Sequence, residues 1–142
     1  MKQEPRHKVH GTPMSKWISL VPGELPQDGV GLWQILAAAD HGFELEGAEK
    51  VDYIRRNNFA LIDRGAIPVT GGKGTDFDWI ATYEYGESRD QIAEAVIAKW
   101  LVSQDDEFFP FEIWFALPRS NVGNLRPERF ALASENVGSQ KL

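Results

Sequence analysis

The sequence predicts an α+β domain in which three helices pack on a three-stranded, mostly antiparallel sheet, with a possible extra edge strand at the N-terminus. Apolar residues recur at helical spacing in three segments, and in two other segments they alternate with polar residues as strands do. The chain has 142 residues, 42% of them hydrophobic, which is enough for one core that needs no disulfide or metal. The expected order of elements is α-α-β-β-α-β.

The N-terminal residues are expected to stand apart from this domain. Residues 1–13 are polar and contain two of the three histidines, which is typical of a disordered leader or an expression tag ahead of a single domain at 14–118. The apolar stretch 17–21 could form the extra edge strand, because it ends at the turn-forming pair Pro22-Gly23.

The first two long elements are predicted to be helices that pack as a hairpin. Apolar residues three and four positions apart place the first helix near 29–41. The second covers Gly47 to Arg64 and ends before the stop signal Gly65. One face of this second helix carries Val51, Ile54, Asn58, Leu61 and Ile62.

Two strands are predicted to follow and to form a β-hairpin. The first covers 66–70 and is expected at a sheet edge, because Pro68 has no N–H to donate. The second alternates from Phe77 to Tyr85, with its aromatic side chains on one face. The connection between them contains Gly71, Gly72, Lys73 and Gly74.

A third helix and a third strand complete the predicted domain. Ser88 and Gln91 fit a capping box at the start of a helix that should end near Ser103. Residues 111–117 alternate again and are predicted to form the last strand. Residues 119–142 have no sustained periodicity, so we expect a partly disordered C-terminal tail.

Composition excludes several classes of protein. The chain has 21 acidic and 15 basic residues, a net charge of −6, and only Arg55-Arg56 as adjacent cations, so nucleic-acid binding is not expected. The absence of cysteine excludes thiol nucleophiles and cysteine-ligated metals. No apolar run approaches the roughly 18 residues of a membrane span, so no membrane partner is expected and the cytoplasm is the default compartment.

No motif in the sequence assigns a reaction. The TGGKGT stretch lacks the spacing of a P-loop, and no serine lies in a nucleophile elbow. His41 is the only histidine within 14–118 and is better explained as a residue near a helix C-terminus than as a general base. We therefore expect no cofactor and no metal, and we favour a protein that is not an enzyme.

The favoured function is a binding or regulatory domain of bacterial type that contacts a protein partner through an acidic and aromatic surface. A basic partner would suit this charge, as in an immunity or inhibitor protein. The residues expected at this surface are Asp76, Asp78, Glu84, Asp105, Asp106, Glu107 and Trp114.

The alternative is a small enzyme or small-molecule-binding protein with a pocket between the helical hairpin and the sheet. In this reading the glycine-rich connection at 71–74 contacts the ligand. The polar groups proposed for the pocket are His41, Asp76, Asp78, Tyr83 and Tyr85.

Overall fold

The computed structural model describes residues 3–71 and 79–118. Within these ranges it contains four α-helices and four strands. In chain order they are α1 (Met14–Leu20), β1 (Val30–Gly31), α2 (Leu32–Ala37), α3 (Gly47–Asp63), β2 (Ile67–Gly71), β3 (Trp79–Ala81), α4 (Arg89–Val102) and β4 (Trp114–Ala116). The α+β class is confirmed, whereas the predicted order and strand count are not.

The four strands form one antiparallel sheet in the order β1-β4-β2-β3. The predicted three-stranded sheet is wrong because β1 was missed. In β1 only Val30 and Gly31 pair with β4, and two residues are too few to show an alternating pattern. The segment that follows, Leu32–Ala37, is the predicted first helix in a shorter form, and it continues as a π-helical turn at Ala38–Gly42.

β2 is a central strand, so the prediction that Pro68 marks an edge is wrong. Pro68 lies opposite Phe115 of β4, and its carbonyl accepts a hydrogen bond from the Thr82 N–H at 3.1 Å. Thr82 is the first residue after β3 ends. The N–H that proline lacks would therefore face the end of β3, where one missing ladder bond costs little.

The predicted N-terminal edge strand is also wrong, because residues 14–20 form the helix α1. Met14 and Ile18 lie four residues apart and are both buried, which is the spacing of one helix face. The N-terminal turn of α1 gains partners from outside the helix. The Glu4 carboxylate accepts hydrogen bonds from the Ser15 N–H at 2.7 Å and from the Ser15 hydroxyl at 3.0 Å.

Residues 3–13 form an arm that packs on the domain. The His7 ring stacks on Trp17 with centroids 4.3 Å apart and meets the edge of Phe43 at 5.4 Å. The Lys8 N–H donates to the Gly42 carbonyl at 2.8 Å, and a Cβ on Gly42 would lie 2.6 Å from the His7 ring. These contacts join the arm to α1 and to the turn after α2; that residues 1–13 are a disordered leader or an expression tag stays a prediction.

The predicted long strand from Phe77 to Tyr85 is short in the structure. β3 ends at Ala81, and a turn closed by the Gly86 N–H and the Tyr83 carbonyl follows, with Gly86 at a φ of 103°. Tyr83 was expected on the inner face but is 71% exposed. Because the chain turns away from the sheet after β3, the alternation of the sequence no longer reports a sheet face.

The last predicted strand is shortened in the same way. Phe111 was placed on the inner face of a strand, but it ends a 3-10 turn at Phe109–Phe111 and is 56% exposed. Pro110 lies within this turn, where its fixed φ fits and a ladder bond is not required. Only Trp114–Ala116 form β4.

The second and third predicted helices are confirmed as α3 and α4. Ser88 caps α4 through the Gln91 N–H, and the Gln91 side chain returns to the Ser88 N–H as the capping box requires. The two helices pack closely, and the Asn58 amide nitrogen donates to the Ala93 carbonyl between them at 3.1 Å. The core lies between the helices and the sheet face that carries Val30 and Phe115.

Two predictions concern residues beyond this fold. The predicted C-terminal tail, 119–142, lies outside the described residues. No helix among those described is long and apolar enough to cross a membrane.

Candidate ligand-binding cavity

A cavity of about 260 Å³ lies among α1, the turn after it, β1, α2 and α3. Its volume is just below the roughly 300–1,000 Å³ of typical ligand pockets. The residues that line it are Trp17, Leu20, Val21, Glu24, Val30, Gln34, Ile35, Ala38, Tyr53 and Asn57. Most of these side chains are apolar, so the cavity suits a small molecule with an apolar body.

Two of the lining residues, both from α3, are buried polar side chains that have no hydrogen-bond partner at one atom each. Tyr53 is 1% exposed and Asn57 is fully buried. The Tyr53 hydroxyl and the Asn57 Oδ1 atom are both unpartnered and closed off from bulk water. Most buried polar atoms in folded proteins have partners, so two unpartnered atoms on neighbouring side chains of α3 are an uncommon feature.

Helical geometry brings these two side chains together. Tyr53 and Asn57 are four residues apart, so they lie one above the other on α3. The Asn57 amide nitrogen donates to the Tyr53 carbonyl at 2.9 Å. This bond fixes the amide and leaves its oxygen as the free acceptor.

Burial raises the pKa of Tyr53 to about 12, while the nearby Asn57 and Trp17 side chains act in the opposite direction. Those neighbours do not form a hydrogen bond of normal geometry with the hydroxyl. The phenol is therefore protonated at neutral pH and is available as a donor.

Trp17 forms one wall of the cavity, and the N-terminal arm holds it in place. His7 stacks on the indole, and Phe43 meets it edge-on with centroids 5.8 Å apart. Burial is the main cause that lowers the pKa of His7, with smaller contributions from the nearby His10 and Lys8 side chains. The neutral His7 ring accepts hydrogen bonds at Nδ1 from the Val9 and His10 N–H groups. The arm thus contributes to the cavity by ordering Trp17.

The exposed lining residues mark the mouth of the cavity. Leu20, Glu24 and Gln34 are exposed, whereas the deeper Val30 and Ile35 are buried. Glu24 is the only lining residue with a charged side chain, and it lies at this rim. The interior is therefore uncharged.

The acidic residues predicted to bind a partner do not form one site in the described structure. Glu84 is occupied, because its carboxylate pairs with Lys99 at 2.8 Å. Asp105, Asp106 and Glu107 are exposed in the turn after α4, next to Phe108, which is also exposed. Asp76 and Asp78 lie outside the described residues, as do Gly72, Lys73 and Gly74, and Gly71 ends β2 away from the cavity.

Trp114 belongs to an aromatic surface on the sheet face opposite Phe115. Its ring lies 5.2 Å from Trp79 and 6.4 Å from Trp33, and Trp33 stacks on Phe111 at 5.6 Å. Register explains the grouping, because Trp114 pairs with Val69 and Trp79 pairs with Gly71, two residues along β2. The three tryptophans are half-buried.

The residues that line the cavity are not those that the sequence analysis proposed for a pocket. His41, Tyr83 and Tyr85 do not line it. The sequence analysis did not single out Tyr53 and Asn57. These two residues are four positions apart, as Ile54 and Asn58 are, and each lies one position before its counterpart in that pair. A pair of polar residues at helical spacing beside the apolar face could have indicated a site. That the pair is buried depends on the packing of α1 on α3, which the sequence pattern does not show.

Neither a metal site nor a known relative assigns the chemistry of this cavity. Across 3–71 and 79–118, no group of three or more histidine, aspartate or glutamate side chains could hold a metal ion. No protein-family model matches the chain, and no curated protein or solved structure is significantly similar to it.

Proposed function

We propose that this protein binds a small molecule in the cavity between α1, α2 and α3. The observation that carries the proposal is the cavity itself, about 260 Å³ in volume and lined mostly by apolar side chains, with Leu20, Glu24 and Gln34 exposed at its mouth.

The unfilled space in the fold also supports a role in ligand binding rather than a role only in packing of the core. A cavity that serves only the core is normally filled, because a void removes contacts from every side chain that lines it. Here Trp17 is held at the wall by the arm and leaves the space open. Ordering of the wall before binding lowers the entropy that a ligand must overcome.

The test is a screen of small uncharged, anionic and cationic fragments against the full chain by protein-observed NMR. Cavity ligands are expected to shift the Trp17 indole resonance. They should lose binding in Ala38→Leu, which fills the cavity, and keep it in Ala37→Leu, since Ala37 is an exposed neighbour that does not line the cavity. Hits that bind both variants equally, or a screen with no hits, would contradict the proposal.

A second candidate function is the contact with a protein partner through acidic and aromatic residues. It is favoured by a run of three exposed acids that is followed in the sequence by two exposed aromatic rings. The acids are Asp105, Asp106 and Glu107, and the rings are Phe108 and Phe111. No ion pair joins these acids to a cation within the described part of the chain. Unpaired charge beside apolar surface is typical of an interface that attracts a basic protein.

Charge reversal tests this second candidate. A partner captured by the wild-type chain should be lost by the triple variant Asp105→Lys, Asp106→Lys, Glu107→Lys and by raised salt, because steering depends on unscreened charge. Glu87→Lys is the control, since Glu87 is exposed but lies before α4 rather than after it. Equal capture by the triple variant and the control would exclude this surface.

A further inference from the structure

We propose that residues 125–132 of this chain dock on the aromatic surface of the sheet. This surface consists of Trp33, Trp79, Phe111 and Trp114. The docking segment belongs to the stretch 119–142, which follows β4 in the sequence. Such docking is independent of ligand binding in the cavity, because no residue of the aromatic surface lines the cavity.

The aromatic surface is a built part of the fold, because glycines make room for its rings. A Cβ on Gly31 would lie 2.7 Å from the Trp33 indole and 3.2 Å from the Trp114 ring. A Cβ on Gly29 would lie 3.1 Å from the Trp79 ring. The three tryptophans are nevertheless only half-buried, so apolar surface remains for a partner to cover.

The stretch 119–142 leaves the described fold beside this surface. Pro118, the last described residue, lines the same groove of about 160 Å³ as Trp79. Residues 119–124 span about 20 Å when extended. Four paired strands are roughly 15 Å across. The segment 125–132 is therefore long enough in reach to meet every ring of the aromatic surface.

The charge of this stretch is opposite to that of the domain. Residues 119–142 contain four basic and two acidic residues, whereas residues 1–118 contain 11 basic and 19 acidic residues. Opposite charge attracts the stretch to the domain, and like charge disfavours a second copy of the domain at the same place. Charge thus favours the chain's own segment as the occupant.

Two carboxylates lie next to the aromatic surface and are open to such a cation. Asp28 is exposed and lines the groove with Trp79. Glu112 is exposed and lies two residues before Trp114 in the chain. Among the described residues, neither carboxylate forms an ion pair. An arginine of the docked segment would supply the missing counter-charge.

The segment 125–132 carries the side chains that this surface would bind. Its large apolar residues are Leu125, Phe130 and Leu132. Arg126 and Arg129 add guanidinium groups, which stack favourably on indole rings. Where the structure describes cation–π contacts, the rings are Trp100 and Phe59, so the tryptophans of the aromatic surface have no such partner within the described ranges.

The covalent connection favours this segment over a separate molecule. A short flexible linker holds its binding segment at an effective concentration on the order of millimolar. A separate partner must reach a similar concentration or bind more tightly to displace it. Weak apolar and cation–π contacts are therefore sufficient for docking within one chain.

Paramagnetic relaxation in the full chain tests the proposal. The chain has no cysteine, so Ser134→Cys gives a single site for a nitroxide label directly after the segment. The label should broaden the indole N–H resonances of the aromatic surface. It should spare those of Trp17 and Trp100, which belong to α1 and to the core side of α4.

Variants within the segment separate docking from mere proximity. Phe130→Ala in the labelled chain should lower the ratio of docked to free segment roughly tenfold or more, because an aromatic side chain loses its burial. Arg126→Glu with Arg129→Glu should act in the same direction. Val137→Ala is the matched control, since it shortens an apolar side chain of the same stretch outside 125–132.

Three results would overturn the proposal. Equal broadening in Phe130→Ala and Val137→Ala would show that the tether alone brings the label near the sheet. Indole resonances that stay sharp would show that the segment does not dock. Broadening in a mixture of nitroxide-labelled chain and separate ¹⁵N-labelled chain without the cysteine would show that the segment docks on a second copy.

Discussion

The Tyr53 hydroxyl is a polar group that the fold buries without a partner. Tyr53→Phe removes it with almost no change in side-chain shape. We expect the ligand-free variant to gain about 1 kcal/mol in free energy of unfolding, because the cost of burying the unpartnered hydroxyl disappears. Urea unfolding of both proteins measures the difference.

The opposite sign would be informative. A loss of stability in Tyr53→Phe would mean that the hydroxyl is satisfied in solution, for instance by an ordered water. Tyr83→Phe, at an exposed tyrosine, should have no effect and serves as the reference.

At the scale of an element, the N-terminal arm should respond to acid. The pKa of His7 is lowered chiefly by burial, and the pKa of Glu4 is lowered by its hydrogen bonds from Ser15. A lowered folded-state pKa means that each group's contribution to stability is complete above its unfolded-state pKa and is lost as pH falls. We therefore expect the arm to begin to loosen as pH falls below about 6.5, where His7 of the released arm takes up a proton, and to loosen further below about pH 4.3, where Glu4 of the released arm does.

The chemical reason lies in the hydrogen bonds of the arm. The His7 Nδ1 atom accepts from two N–H groups and cannot do so once protonated, and a neutral Glu4 is a weaker acceptor for Ser15. The NMR resonance of the Trp17 indole against pH measures the release. Glu4→Gln should abolish the lower step while the upper one remains. A flat profile from pH 7 to pH 4 would show that the arm does not depend on these groups.

The contact between α3 and α4 predicts a second response at this scale. Ala93 is fully buried where the two helices meet, and its carbonyl accepts from Asn58. Ala93→Leu should cost about 1–3 kcal/mol, because the added atoms force the helices apart. Ala98→Leu places the same side chain on the exposed side of α4 and should change stability by less than about 0.5 kcal/mol. Thermal unfolding of the two variants measures their stabilities. An equal loss of stability in both would mean that the helices are not in close contact at Ala93.

At the scale of the whole molecule, Phe115 connects the sheet to the helices. It is fully buried in the central strand β4, with β1 on one side and β2 on the other. Phe115→Ala should cost about 3–5 kcal/mol, which is a large part of the 5–15 kcal/mol that stabilises a typical domain. Phe111→Ala, at a ring that is mostly exposed, should cost under about 1 kcal/mol. Urea unfolding measures both, and a similar loss at the two positions would contradict the assignment of the core to the Phe115 face.

The sequence by itself determined the features that depend on neighbouring residues. The positions of α3 and α4, and the capping box at Ser88 and Gln91, follow from spacing and local hydrogen bonds and were predicted correctly. The α+β class could be predicted for the same reason, since periods of 3.6 and 2 residues are visible in the chain. The ends of the strands could not be predicted in this way. The alternation of apolar and polar residues continues in the sequence after Ala81, although the chain has turned away from the sheet there.

Only the tertiary structure decided the features that depend on distant residues. Strand order was decided by long-range pairing. β4 pairs with β1, which lies more than 80 residues earlier, and also with β2, whose other neighbour is β3, so Pro68 lies in a central strand. The cavity arises in the same way, because α1 and the arm cover one side of α3 and bury Tyr53 and Asn57 without supplying partners. Whether a polar side chain has a hydrogen-bond partner depends on atoms from other elements, and no pattern of neighbouring residues records it.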